Sequence, residues 1–186
     1  MATQRGALSV EQIVDAAAVA IAEDGLAKLS MRRLGARLGV DPMAIYHHVD
    51  GKQTLLGLVL AQVLSELPAV DRTQPWAAQV REWALAYWEL ASRHRELVGA
   101  ALADPLIAQG ALRAIEPLTD ALSESGLGPA SIEAVAYLVV DFAHGSALSG
   151  AVAERPDDVR AWFEQGLDVV IAGVEAIPHP SYDPSV

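Results

Sequence analysis

Apolar residues recur at intervals of three and four along nearly the whole chain, and no strand-like alternation lasts long enough to compete. Ile13, Ala16, Ala17, Ala20 and Ile21 make one such face; Trp76, Val80, Trp83, Tyr87, Leu90 and His94 make another. This period buries stripes of helices rather than faces of sheets, so the expected fold class is all-α. Local punctuation sets the segments. Ser9, with Gln12 three residues on, forms a capping box ahead of a first helix that Gly25 closes. Ser30 caps a second helix running through Leu38, and Gly39 ends it. Pro42, pre-set in φ and needing no donor, stands in the first turn of a third helix reaching about Val49. Asp50 and Gly51 break the chain before a fourth helix from about Lys52 to Leu67, stopped by Pro68.

Beyond the linker "PAVDRTQP" the expected helices lengthen: about 75–92, a short one to about 103, then 105–125, 129–153 and 157–177. The tail "PHPSYDPSV", with three prolines, is expected to be loose. The pattern divides the chain into a three-helix domain over 1–52 and a larger antiparallel helical bundle over 53–186, with helix 52–67 as the connector.

Composition narrows the classes. With 52% apolar and 20% charged residues the chain is no disordered protein, and 186 residues bury a sizeable core. No uncharged apolar run reaches the roughly 18 residues needed to span a bilayer, and "MATQRGALSVEQ" has no signal-peptide core, so a cytoplasmic location and no membrane partner are expected. The absence of cysteine excludes disulfides, thiolate metal sites and thiol catalysis.

The formal net charge of -11 is unevenly placed. Residues 1–52 hold six basic and six acidic side chains, whereas 53–186 hold seven against eighteen. The whole-domain pattern of nucleic-acid binders, a pI above about 9, is therefore absent. Local clustering points the other way: Lys28, Arg32, Arg33 and Arg37 fall within ten residues, with no Asp or Glu from Gly25 to Val40. Gly35 lets the second and third helices approach through the Gly39 turn, and Leu34, Leu38, Val40 and Ile45 supply inward contacts. That is the spacing of a helix-turn-helix, whose second helix lies in the major groove of DNA. Ser30, Arg32 and Arg33 then open the helix that crosses the backbone, where amides and guanidinium groups meet phosphates. A solvated basic face on an ordinary helical hairpin is the plainer alternative.

The stretch "AIYHHVDGKQTLL" resembles the signature of TetR-family transcriptional regulators, with Tyr46, His48, Val49, Lys52 and Leu55 in register, and the similarity covers the first 67 residues without a gap. The resemblance implies that Ser30 and Arg32 enter the DNA site, that Met43, Ala44 and His47 face the bases, and that Tyr46, His48 and Lys52 hold phosphates. Apolar Met43 and Ala44 suit thymine methyls and shape readout. His47 and His48, adjacent on a helix, point about 100° apart with no third ligand near, so no metal is expected.

The second part resembles TetR-like carboxyl domains more loosely, in "RHRELV" and "YLVVDFAHGSALSGAVAE". Against the tetracycline-binding members, Ala101 stands where the magnesium-binding imidazole belongs, Asp104 falls at a neighbouring ligand position, and Glu154 alone keeps a matching acid. Trp83 and Tyr87 fall on positions that face the ligand cavity. By pattern alone the Trp83 stripe reads as core, although aromatics with polar tips also line cavities. Tyr137, Asp141, His144 and Leu148 share a face that is a solvated edge, a satisfied buried histidine or, by the resemblance, a ligand-orienting set. The implied effector is a mostly apolar or aromatic small molecule, without magnesium and without a cofactor.

Two small-residue strips, Ala136, Val140, Ala143, Ala147 and Ala151, and Gly166, Val170, Gly173 and Ile177, allow close helix approach. Core packing explains either alone; two-fold pairing through Ala143, Ala147, Gly166, Val170 and Gly173 explains a homodimer matched to a palindromic operator. The expected function is a ligand-responsive, DNA-binding bacterial regulator, most simply a repressor released from double-stranded DNA by its effector. The alternative is a constitutive DNA-binding dimer. "HGSALSG" lacks the G-x-S-x-G elbow, and no H-E-x-x-H, P-loop or dinucleotide fingerprint occurs, so no enzyme is expected.

Overall fold

The structure, a computed structural model, describes residues 8–149 and 156–177, and among these every regular element is helical. They form α1 (Val10–Asp24), α2 (Met31–Leu38), α3 (Pro42–Tyr46), α4 (Lys52–Leu64), α5 (Trp76–Arg93), α6 (Arg95–Ala103), α7 (Pro105–Ala108), α8 (Glu116–Ser123), α9 (Pro129–Ser149) and α10 (Pro156–Glu175), with 3₁₀ turns at Leu26–Lys28 and Gln109–Ala111. The chain divides into two compact units. One holds the chain up to Ser65 together with Glu96–Leu112; the other holds Glu66–Arg95 and the chain from Arg113 onward.

In the first unit α1, α2 and α3 close over Ile13, Ala17, Leu34 and Ile45, with Leu55 and Val59 of α4 beneath them. The local signals act as expected. Ser9 accepts from the Gln12 amide while the Gln12 side chain accepts from the Ser9 amide, Ser30 accepts from the Arg33 amide, and Gly39 takes a left-handed φ of 69° that its lack of Cβ permits. Gly35 is the closest approach: a Cβ there would lie 3.0 Å from the Val40 carbonyl oxygen and 3.2 Å from the Pro42 ring. Both neighbours are held by the turn, so Gly35→Val should lower stability by about 1–3 kcal/mol, the usual cost of overpacking. A thermal melt of the purified variant measures it.

Three segments differ from the sequence expectation, the smallest being α4, which ends at Leu64 rather than about Leu67 as the Ser65 amide turns back to Ala61 and Gln62. The third helix stops at Tyr46 rather than about Val49, because the amides of His48 and Val49 both turn back to the Ile45 carbonyl before Gly51 opens α4. The single helix expected over 105–125 is instead α7, a 3₁₀ turn and α8. There the chain folds flat onto α4, where Gly110 meets the Gly57 backbone so closely that a Cβ on it would collide, and Pro117 then restarts the helix within its first turn.

In the second unit α5 packs on α8 and α9, and α10 packs on α9 and α5. Trp83, Leu118, Leu122, Val139, Phe163 and Leu167 form its interior. Phe142 and Phe163 stack at 5.1 Å, and Gly166 lies directly under the Phe142 ring. The end of the helix expected over 129–153 and the proline-rich tail lie outside the described residues.

Candidate functional site

In the helical hairpin α2–α3, Ile45 is fully buried and anchors α3, so the remaining faces of so short a helix look outward. Asp41 caps it by accepting from the Met43 amide at 2.8 Å. Met43 is 61% exposed, Tyr46, His47 and His48 are exposed, and Ala44 is half-buried. Lys52 begins α4 half-buried, behind a glycine cap that offers no side-chain acceptor to the first amides. Ser30 and Arg32 are exposed at the start of α2. The residues expected to touch DNA thus occupy the α2 N-terminus, α3 and the α4 N-terminus.

Arg33 differs from the others. Its guanidinium pairs with Asp24 at 3.2 Å, and one turn on Arg37 pairs with Glu23 at 2.7 Å. Sequence reasoning missed both pairs, since the partners lie nine and fourteen residues apart across a turn and carry no helical spacing. A shallow pocket of about 160 Å³ opens between these groups, lined by Lys28, Arg33, Arg37 and Asp24 over Ala20 and Leu34.

The aromatic region of the second unit is built from α5 and α9. Trp83 and Tyr87 stack at 4.8 Å and are both buried; the Trp83 indole donates to the Ala114 carbonyl at 3.1 Å, and the Tyr87 hydroxyl meets His144 Nε2 at 2.6 Å. Burial first, then the nearby Asp141 charge, pushes the Tyr87 phenol up to about 12, so it keeps its proton, and the tautomer of His144 sets which of the two donates. His144 Nδ1 is buried without a partner. Three of the five expected ligand residues therefore come together, while Tyr137 and Asp141 lie on the exposed side of α9. Ala101 is half-buried on α6, Asp104 caps α7 by accepting from the Leu106 amide, and Glu154 lies outside the described residues.

Burial holds His144 below the usual imidazole range, against the opposing pull of Asp141, and likewise holds His94 low against Glu66. A base with a depressed folded-state value leaves the unfolded chain binding more protons. Its stabilising contribution is complete above pH 6.5 and disappears as pH falls through the folded value. The melting temperature should accordingly drop on acidification below pH 6.5, and His144→Gln should flatten the drop in a pH-resolved melt.

The expected pairing residues separate. Ala143 and Ala147 are 0% and 1% exposed, enclosed by their own protomer, so they fill its core and offer no surface to a partner. The small side chains serve the close approach of α9 to its neighbours within one chain. Gly166 is half-buried against Phe142, Val170 is half-buried, Gly173 is exposed with open space beyond it, and Ala151 lies outside the described residues. The outward face of α10 instead carries Trp162 and Val169, 61% and 73% exposed. A shallow groove of about 390 Å³ runs beside Trp162, floored by Phe142 and Phe163 and edged by Asp141 and Ser149. Trp162, Val169 and Gly173, seven and four residues apart and so on one helical face, were the available signal in the sequence.

Residues 13–59 match the family model described as bacterial regulatory proteins, tetR family. An HTH-type transcriptional repressor, DrrR1, of Streptomyces coeruleorubidus is 30% identical over 144 residues, taking in 76% of this chain and 53% of that repressor; the chain spans about half its length. Among solved structures, BioQ with its double-stranded DNA operator superposes with a TM-score of 0.75 at 27% identity, over 91% of this chain and 99% of that one. A TetR variant from Acinetobacter baumannii AYE in complex with minocycline does so with a TM-score of 0.75 at 26% identity, over 90% and 97%.

Proposed function

The chain belongs to the TetR family of bacterial regulatory proteins, and from that premise we propose that it is a homodimeric transcriptional repressor that binds a palindromic operator and leaves it when a small molecule binds. The observation that carries this reading is the exposed face of α3, rigidly capped and anchored, beside Arg32 and Lys52, which have no ion-pair partner among the described residues. Residues 1–52 read the DNA: Met43, Ala44 and His47 meet base edges, and Ser30, Arg32, Arg33, Tyr46, His48 and Lys52 hold the backbone. Phosphate contacts fix the register and base contacts specify. Residues 53–186 bind the effector and pair the protomers, through the outward face of α10 with Val170 and Gly173. Such a protein works on DNA in the cytoplasm, and no catalytic residue is assigned.

BioQ was solved on its operator and the A. baumannii protein with minocycline, and both support partners of these two kinds. For this chain the effector is apolar or aromatic, held by Trp83, Tyr87 and His144, with Tyr137 and Asp141 joining only if α9 shifts. Ala101 offers no metal ligand, so magnesium-tetracycline is not the effector. The tight Trp83–Tyr87 stack favours one competing reading, a dimer that binds DNA constitutively. Selection from random duplexes tests the common part: an enriched inverted repeat is expected, and none would sink the proposal. A fluorescence titration of the complex with flat aromatic and macrocyclic compounds, beside tetracycline with magnesium, separates the two readings. Release by one of the metal-free compounds supports the first, and release by none supports the second.

A further inference from the structure

We infer that Glu23 and Asp24 act as internal stand-ins for DNA phosphates, holding Arg37 and Arg33 in reserve and restraining the affinity of the protein for unspecific DNA. The inference rests on the DNA-binding reading and adds to it residues on α1, which that reading leaves without a role.

The two carboxylates stand in the last turn of α1, where the helix dipole disfavours negative charge and no basic residue of the helix offsets them. Their positions are costly in the helix itself. They meet the guanidinium groups of α2: Asp24 Oδ2 accepts from Arg33 at 3.2 Å, and Glu23 Oε2 lies 2.7 Å from Arg37. All four side chains are at least a third exposed, so each pair is weakly held and opens at small cost. A carboxylate and a phosphate present the same acceptor geometry to an arginine, and the fork that holds one can hold the other. Lys28, in the same pocket and without an ion-pair partner among the described residues, remains available, as does Arg32 beside it in the run.

Charge neutralisation sets unspecific binding, because each engaged phosphate releases counterions whatever the sequence. With the pairs closed, two of the four cations of the run are each held by a carboxylate. A unit whose arginines were all free would bind random duplex more tightly and gain no sequence discrimination, since backbone contacts do not read bases. The pairs therefore trade affinity for selectivity.

The test uses the 186-residue chain and a 30-base-pair duplex of unrelated sequence, titrated by fluorescence anisotropy across a salt series. Asp24→Asn should tighten binding about three- to tenfold and steepen the dependence of log affinity on log salt by close to 0.9 for each phosphate newly held. Asp24→Asn combined with Arg33→Ala should bind no more tightly than Arg33→Ala alone, because the guanidinium that the first change releases is then missing. Glu23→Gln with Arg37→Ala repeats the cycle at the second pair, and unchanged melting temperatures exclude a folding effect. Unchanged affinity and slope in both carboxylate variants overturn the inference, as does a gain that persists without the arginine, which is a bulk charge effect. If neither wild type nor the carboxylate variants bind any duplex at low salt, the DNA-binding reading fails as well; if only the variants bind, the restraint is confirmed in its strongest form.

Discussion

Raising the salt concentration from 50 to 200 mM should lower operator affinity by about a thousandfold or more, provided each protomer holds three or more phosphates. Two opposed fields act on the DNA. Residues 53–186 carry seven basic against eighteen acidic side chains, so most of the protein repels DNA. On the proposed reading, attraction comes from the few groups placed around α3: Ser30 and Arg32 at the α2 N-terminus, Tyr46 and His48, and Lys52 at the α4 N-terminus. In the proposed dimer each group is used twice, so Arg32→Ala and Lys52→Ala should each reduce the slope of log affinity against log salt by roughly two, as expected for losing two phosphates. Neither residue is buried, so both variants should melt like the wild type. Anisotropy titrations at five salt concentrations decide it. A slope near zero would show that the exposed cations do not meet phosphates, and unchanged slopes in both variants would place the contacts elsewhere.

The same region shows why some of the structure could be read in advance. Caps, turn glycines and the Pro42 start depend on residues within four positions of one another, and Ser9, Ser30, Gly39 and Gly35 act as their neighbours dictate. What depends on the chain meeting itself could not be read this way. The run from Gly25 to Val40 is one-signed in sequence, yet α2 folds back beside the acidic end of α1 and two of its arginines find carboxylates. Leu106 to Leu112 has helical spacing, but Gly57 and Gly110 bring two backbones together and break the helix. Of the aromatic set, Trp83, Tyr87 and His144 converge because α5 and α9 pack face to face; Tyr137, two turns before His144 on nearly the same side of α9, is nonetheless exposed, which the spacing alone does not reveal. Small residues are the hardest to interpret, since close approach within one chain and between two chains leaves the same pattern.

That ambiguity bears directly on how the protomers pair. Ala147, enclosed in its own protomer, cannot report on pairing, because a large side chain there would disrupt the fold first. Gly173 can. It is exposed, a Cβ placed on it meets nothing within 4 Å, and it lies on the outward side of α10 with Trp162 and Val169. An isolated protomer therefore accepts a large side chain at 173 without strain, whereas two copies packed through this face do not. A stable pair needs roughly 1,200–2,000 Å² of buried surface with well-fitted packing, and an indole wedged at its centre removes that fit. Gly173→Trp should remain folded by circular dichroism, sediment as a monomer at micromolar concentration, and lose on the order of a hundredfold or more in operator affinity. The loss follows because the second half-site is no longer bound at the high effective concentration that a linked pair provides. Binding to a single half-site should be almost unchanged, which separates loss of pairing from damage to the reading surface. A Gly173→Trp protein that sediments as a full dimer and keeps its operator affinity would remove this face of α10 from the interface.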